Sequence, residues 1–90
     1  MTDITSSCTY YYSIVGDLKF LEVVTPATAA TGDTIDLGSD SAGGKINTIL
    51  TTVLQDDAGA DKSSTWDPST GIITLGTITT GIHNLLVIGK

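Results

Sequence analysis

Residues 66–89 alternate branched apolar side chains and threonines with glycines placed where tight turns can close. The stretch reads Trp66-Asp67-Pro68-Ser69-Thr70-Gly71, then Ile72-Ile73-Thr74-Leu75-Gly76, then Thr77-Ile78-Thr79-Thr80-Gly81, and ends Ile82-His83-Asn84-Leu85-Leu86-Val87-Ile88-Gly89. β-Branched residues favour the extended backbone and glycine supplies the turn conformations, so the pattern predicts a β-meander. Asp67-Pro68-Ser69-Thr70-Gly71 is the clearest turn: proline suits its second position, and the aspartate before it can accept from the backbone ahead.

The rest of the chain repeats the theme. Residues 5–15 are rich in Ser, Thr and Tyr, and the consecutive Tyr10, Tyr11 and Tyr12 must alternate between faces if the segment is extended. At least one ring then points away from the core, as a half-exposed strand tyrosine or as an interface anchor. Gly16-Asp17 separates this run from Leu18-Lys19-Phe20-Leu21-Glu22-Val23-Val24-Thr25, which predicts a hairpin. The second run carries Leu18, Phe20 and Val24 on one side and Leu21 and Val23 on the other, so it is expected to be central or covered by another subunit. Pro26 ends it, and residues 27–32 read as a loop. Thr34-Ile35-Asp36-Leu37 is a short strand with Ile35 and Leu37 inward, and residues 38–44 are a connection rich in Ser, Asp and Gly.

The segment from Lys45 to Gln55 is ambiguous. Ile46, Ile49, Leu50, Val53 and Leu54 match the helical period. Against this, Ile46, Thr48, Ile49, Thr51, Thr52 and Val53 are all β-branched, and Gly43-Gly44 is a poor helix start, which favours a strand. Residues 56–61 then turn a hairpin that returns through Lys62 to Trp66. Together these segments predict an all-β fold, a small antiparallel β-sandwich or barrel of seven to eight short strands.

With 90 residues the chain is expected to form a single domain, 1–90, since no second core could be built from what remains. A domain this small buries only about 60 to 65% of its unfolded-chain surface and is marginal without added support. Cys8 is the only cysteine, so no intrachain disulfide can supply that support, and a partner chain is the expected source. The formal net charge is −6, from four lysines and no arginine against ten acids. Such a surface repels nucleic acid and anionic lipid, so neither is expected as a partner. The longest apolar runs, around Phe20 to Val24 and Leu85 to Ile88, are far short of a membrane-spanning helix, and Met1-Thr2-Asp3 lacks the basic start of a secretory signal.

Reactive groups are sparse. His83 is the only histidine, and no glycine pattern of a nucleophile elbow surrounds any serine. No enzyme activity is expected, and His83 reads as a strand histidine, bonded or solvated near a turn. Cys8 and one histidine do not fill a zinc shell. Asp56, Asp57 and Asp61 carry oxygens suited to calcium, but their order is not that of an EF-hand. They read as a solvated acidic turn, with an irregular ion site as the alternative. No cofactor is expected. Trp66 has the area to close one end of the core, the favoured reading, or to anchor a subunit contact.

Three stretches carry a resemblance: Thr65-Trp66-Asp67-Pro68-Ser69-Thr70-Gly71-Ile72-Ile73-Thr74-Leu75-Gly76, the ending from Thr80 to Gly89, and Val15-Gly16-Asp17-Leu18-Lys19. They resemble small β-rich virion proteins of tailed viruses, of the capsid decoration or cement type. The resemblance implies a homo-oligomer, with a trimer favoured, that sits on the capsid surface of the virion and braces neighbouring major capsid subunits. No binding residue is implied by position. Candidate interface residues are the exposed or large aromatics Tyr10, Tyr11, Tyr12, Phe20 and Trp66. A small carbohydrate-binding module or a tail- or fibre-associated β-module remains the alternative.

Overall fold

Gly16 adopts φ 61° between two seven-residue strands, β1 (Thr9–Val15) and β2 (Leu18–Val24). Among the described residues no non-glycine has positive φ, so the pair Gly16-Asp17 has the sign pattern of a type II′ turn, whose twist suits a hairpin. The two strands pair antiparallel from Thr9 opposite Val24 to Val15 opposite Leu18. The computed structural model describes residues 2–37, 46 and 48–90. Over these the chain is all-β.

The remaining strands are β3 (Thr34–Asp36), β4 (Ile49–Asp56), β5 (Asp61–Lys62), β6 (Ser64–Trp66), β7 (Ile72–Leu75) and β8 (His83–Gly89). They form two antiparallel sheets, one of five strands in the order β1-β2-β8-β4-β5 and one of three in the order β3-β7-β6. The arrangement is a small β-sandwich. Leu21, Val23, Leu54, Leu85 and Val87 from the larger sheet meet Ile35, Ile73 and Leu75 from the smaller. Ile4, Ala29, Leu37, Ile46 and Ile49 complete this core, and Cys8, Tyr10, Trp66 and Ile78 pack against it.

The expected meander over residues 66–89 holds only in its first half. β6 and β7 form the hairpin around Asp67-Pro68-Ser69-Thr70-Gly71, with the Asp67 amide donating to the Ile72 carbonyl at 3.0 Å. The chain then leaves that sheet, and β8 pairs with β2 and β4 in the other. The physical reason lies in β8 itself, which has Leu85 and Val87 on one side and Leu86 and Ile88 on the other. A strand apolar on both faces is stabilised most between two neighbours, and local turn signals carry no information about which sheet a turn leads into. The same limit applies to residues 62–66: the expected single return strand is split at Ser63, with β5 in the larger sheet and β6 in the smaller.

The ambiguous segment is a strand from Ile49 onward; Lys45 and Asn47 lie outside the described residues, as does the connection at 38–44. Its helix-like spacing has a specific cause. Ile49 pairs with Gly89 and Thr51 with Ile88, so Leu50 is an extra residue in the ladder, a β-bulge. Ile49 and Leu54, five positions apart, would lie on opposite faces of a regular strand, yet the bulge buries both. The other strand assignments follow the alternation: Ile35 and Leu37 are inward, and β2 lies inside its sheet.

The face assignment sets the energetics. Leu85→Ala is expected to cost about 2–5 kcal/mol, because it empties a fully buried site, whereas Val53→Ala on the opposite face is expected to cost less than about 0.5 kcal/mol. Urea denaturation of the two variants measures the difference.

Candidate functional site

Because the smaller sheet covers one side of the larger, the other side is left without a second layer among the described residues. The strand registers place four side chains in a row across it: Tyr11, Glu22, Leu86 and Val53. The adjacent row is Ser13, Phe20, Ile88 and Thr51, and the row beyond on the other flank is Thr9, Val24, Asn84 and Gln55. Val15 and Leu18 extend the face toward the hairpin. Tyr11, Val15 and Val53 are 59%, 61% and 44% exposed, while Phe20, Val24, Leu86 and Ile88 are half-buried. One charge, Glu22, stands near the middle of this apolar surface. Soluble surfaces seldom keep apolar side chains contiguous in this way unless something covers them.

Two shallow depressions flank Leu86. One, of about 320 Å³, is lined by Glu22, Val53, Gln55, Asn84, Leu85 and Leu86. The other, of about 220 Å³, lies between Tyr11, Tyr12, Ser13, Phe20, Glu22 and Leu86. The face therefore has relief, and Glu22, its one charge among the described residues, lines both depressions.

Of the candidate aromatics, Tyr11 and Phe20 lie on this face at the second depression; Tyr12 also borders it, but its pairing with Leu21 places its side chain on the side facing the smaller sheet. Tyr10 points inward instead, and its hydroxyl donates to the Thr5 carbonyl. Burial raises the pKa of that phenol, so it stays protonated. Trp66 sits in the smaller sheet, half-buried against the core and opposite Ile73. Val53, Leu86 and Ile88 belong to the face but were not among the sequence candidates. The continuous run Leu85-Leu86-Val87-Ile88 held the signal, since only two of its four side chains can point inward.

His83 is a strand histidine, the first residue of β8, bonded and not solvated: it is 2% exposed. Its backbone amide donates to Thr25 Oγ1 at 2.8 Å, and its Nδ1 lies 3.0 Å from the Gly81 carbonyl oxygen. Nε2 has no partner among the described residues, and no serine, cysteine or acid is hydrogen-bonded to the ring. Cys8 Sγ donates to the Ile4 carbonyl at 3.3 Å, and burial pushes its thiol up to about 11. Neither group is arranged as a nucleophile with its base.

The acidic residues have a structural use. Asp56 Oδ1 accepts the amides of Ala58 and Ala60 at 3.0 and 2.9 Å, and Asp61 accepts from Gln55 Nε2 at 3.0 Å. Asp67 Oδ1 accepts the Ser69 amide at 2.9 Å and its hydroxyl at 2.7 Å, as the turn chemistry predicts. Asp33 in the same way holds the amides of Thr2 and Ala30. No group of three or more His, Cys, Asp or Glu side chains able to hold a metal occurs among the described residues.

At Asp67, Asp56 and Asp3 such bonds lower the carboxyl pKa. The bond from the Ser69 hydroxyl contributes most at Asp67, the Ala60 amide at Asp56, and the Thr5 hydroxyl at Asp3. A carboxyl depressed in the folded state adds stability above its ordinary value of 3.8 and loses it as pH falls through the folded value. Thermal melts are expected to show stability declining from about pH 4 downward, with a smaller decline in Asp67→Ala. The half-buried, protonated Cys8 is expected to react with iodoacetamide at neutral pH at least about tenfold more slowly in the folded protein than in denaturant, followed by mass spectrometry. Comparison with protein-family models, with curated proteins and with solved structures finds no match for this chain.

Proposed function

We propose that the protein is a viral capsid decoration protein, which binds the outside of the head as a homo-oligomer and braces contacts between major capsid subunits. The outer face of the larger sheet is the observation that carries this reading. It is broad, apolar and shallow, as suits docking on a large protein surface, and it holds no converging set of reactive groups. A net charge of −6 disfavours binding to packaged DNA. The resemblance of the sequence to cement-type virion proteins points the same way. The aromatic side chains of Tyr11 and Phe20 beside one depression favour a second reading, a carbohydrate-binding module, because aromatic side chains can stack on sugar rings.

Co-sedimentation with capsids assembled from the major capsid protein of the same genome separates the two. Saturable binding is expected, together with greater resistance of the capsids to heat. Val53→Lys places an unpaired charge in the contact and is expected to weaken binding at least about tenfold while leaving the fold intact, since Val53 is exposed in the free protein. Absence of capsid binding, with a rise in melting temperature on adding oligosaccharides, favours the second reading instead.

A further inference from the structure

The two sheets present four edges, and three of them are blunted. β5 is two residues long and charged, with Lys62 Nζ 3.9 Å from Asp56 Oδ2. β3 is covered by the amino-terminal segment: Thr34 donates to the Thr2 carbonyl at 2.8 Å, Ile4 donates to the Thr34 carbonyl at 2.9 Å, and the Asp36 amide donates to Thr5 Oγ1 at 2.8 Å. β6 is three residues long, and its Ser64 Oγ lies 2.7 Å from Thr52 Oγ1 of the neighbouring sheet. β1 differs from all of these. It runs seven residues, Thr9-Tyr10-Tyr11-Tyr12-Ser13-Ile14-Val15, with no charge, proline or glycine. Among the described residues it pairs with β2 alone, and Ile14 and Tyr12 are 61% and 37% exposed on the side facing the smaller sheet, as Tyr11 and Val15 are on the other. A long, neutral edge with apolar side chains on both faces is a template for another strand.

We propose that β1 is the pairing edge for a second copy of this chain, β1 against β1, antiparallel across a twofold axis. Among the described residues another copy offers β1 as its one long uncharged edge, so the contact uses the same surface on both sides and closes at two chains. A register centred on Tyr12 sets Tyr11 opposite Ser13, Tyr10 opposite Ile14 and Thr9 opposite Val15. The row Tyr11–Glu22 then continues into Ser13 and Phe20 of the second copy, so the two Glu22 carboxylates do not meet. Despite the net charge of −6, no acid lies on either paired strand. The pairing leaves the outer face open and stands independently of what that face binds. It closes at two copies, where the resemblance to cement proteins implies three.

The test is sedimentation equilibrium from about 1 μM to about 1 mM, a range chosen because strand-edge contacts fall at the small end of protein interfaces. The wild-type chain is expected to pass from monomer to dimer, with amide exchange slowing in β1 alone as concentration rises. Ile14→Lys is expected to weaken dimerisation at least about tenfold, and Val53→Lys to leave it intact. A monomer throughout, a trimer, or a dimer that Ile14→Lys does not weaken overturns the proposal. If Ile14→Lys loses its circular dichroism spectrum, exchange in the wild-type chain decides: protection that rises with concentration outside β1, or not at all, overturns it as well.

Discussion

The pairing of β8 on both of its edges, with one of its faces buried between the sheets, governs the architecture. Its inner side chains, Leu85 and Val87, are fully buried between the sheets, and its backbone is paired on both edges by β2 and β4. Removing it would separate the β1-β2 hairpin from β4 and β5, so the larger sheet exists because this carboxyl-terminal strand is inserted into its middle. Gly89 shows how close that insertion is: a Cβ there would collide with the Thr48 carbonyl and the Ile46 side chain. Stability here depends on non-local pairing, in which the last strand joins elements from the first third and the middle of the chain.

The same strand creates the apolar outer face of the larger sheet. Leu86 and Ile88 are apolar because a central strand is stabilised by apolar side chains against both neighbours, and they lie between Phe20 and Glu22 of β2 and Thr51 and Val53 of β4. Fold and candidate site are thus two consequences of one pattern. The acids, which dominate the charge, are used elsewhere: Asp3, Asp33, Asp56 and Asp67 accept amide bonds that close loops and turns. Among the described residues the larger sheet is left nearly neutral on its outer face, with Glu22 its one charge, and wholly neutral along β1, so the fold gathers most of its acids into turns.

Much of the local structure was legible before any coordinates. Gly16-Asp17 marked its hairpin, Asp67-Pro68 its turn, and the alternation of Ile35 and Leu37 its buried side, because each depends on φ preference or side-chain period within a few residues. The strand at Ile49 was legible through β-branching, although its hydrophobic spacing resembled a helix. Leu50 supplies the cause, since one bulged residue shifts the alternation and no short-range rule reveals a bulge. The site was legible only in part. Tyr11 and Phe20 stood out as large aromatics, but Tyr10 and Trp66 turned toward the core, and Val53 and Leu86 gained meaning only when register placed them in one row with Tyr11.

What the sequence by itself determined is the all-β class, the main turns and the side of each regular strand that seeks the core. These follow from backbone sterics and the two-residue period, which act between neighbours along the chain. Only the tertiary structure decided that β8 joins β2 and β4 and leaves β7 behind, that residues 62–66 switch sheets at Ser63, and that among the described residues one apolar face has no second layer and β1 pairs with β2 alone. Strand partners are chosen by burial summed over distant segments, and that sum exists only once the chain has closed on itself.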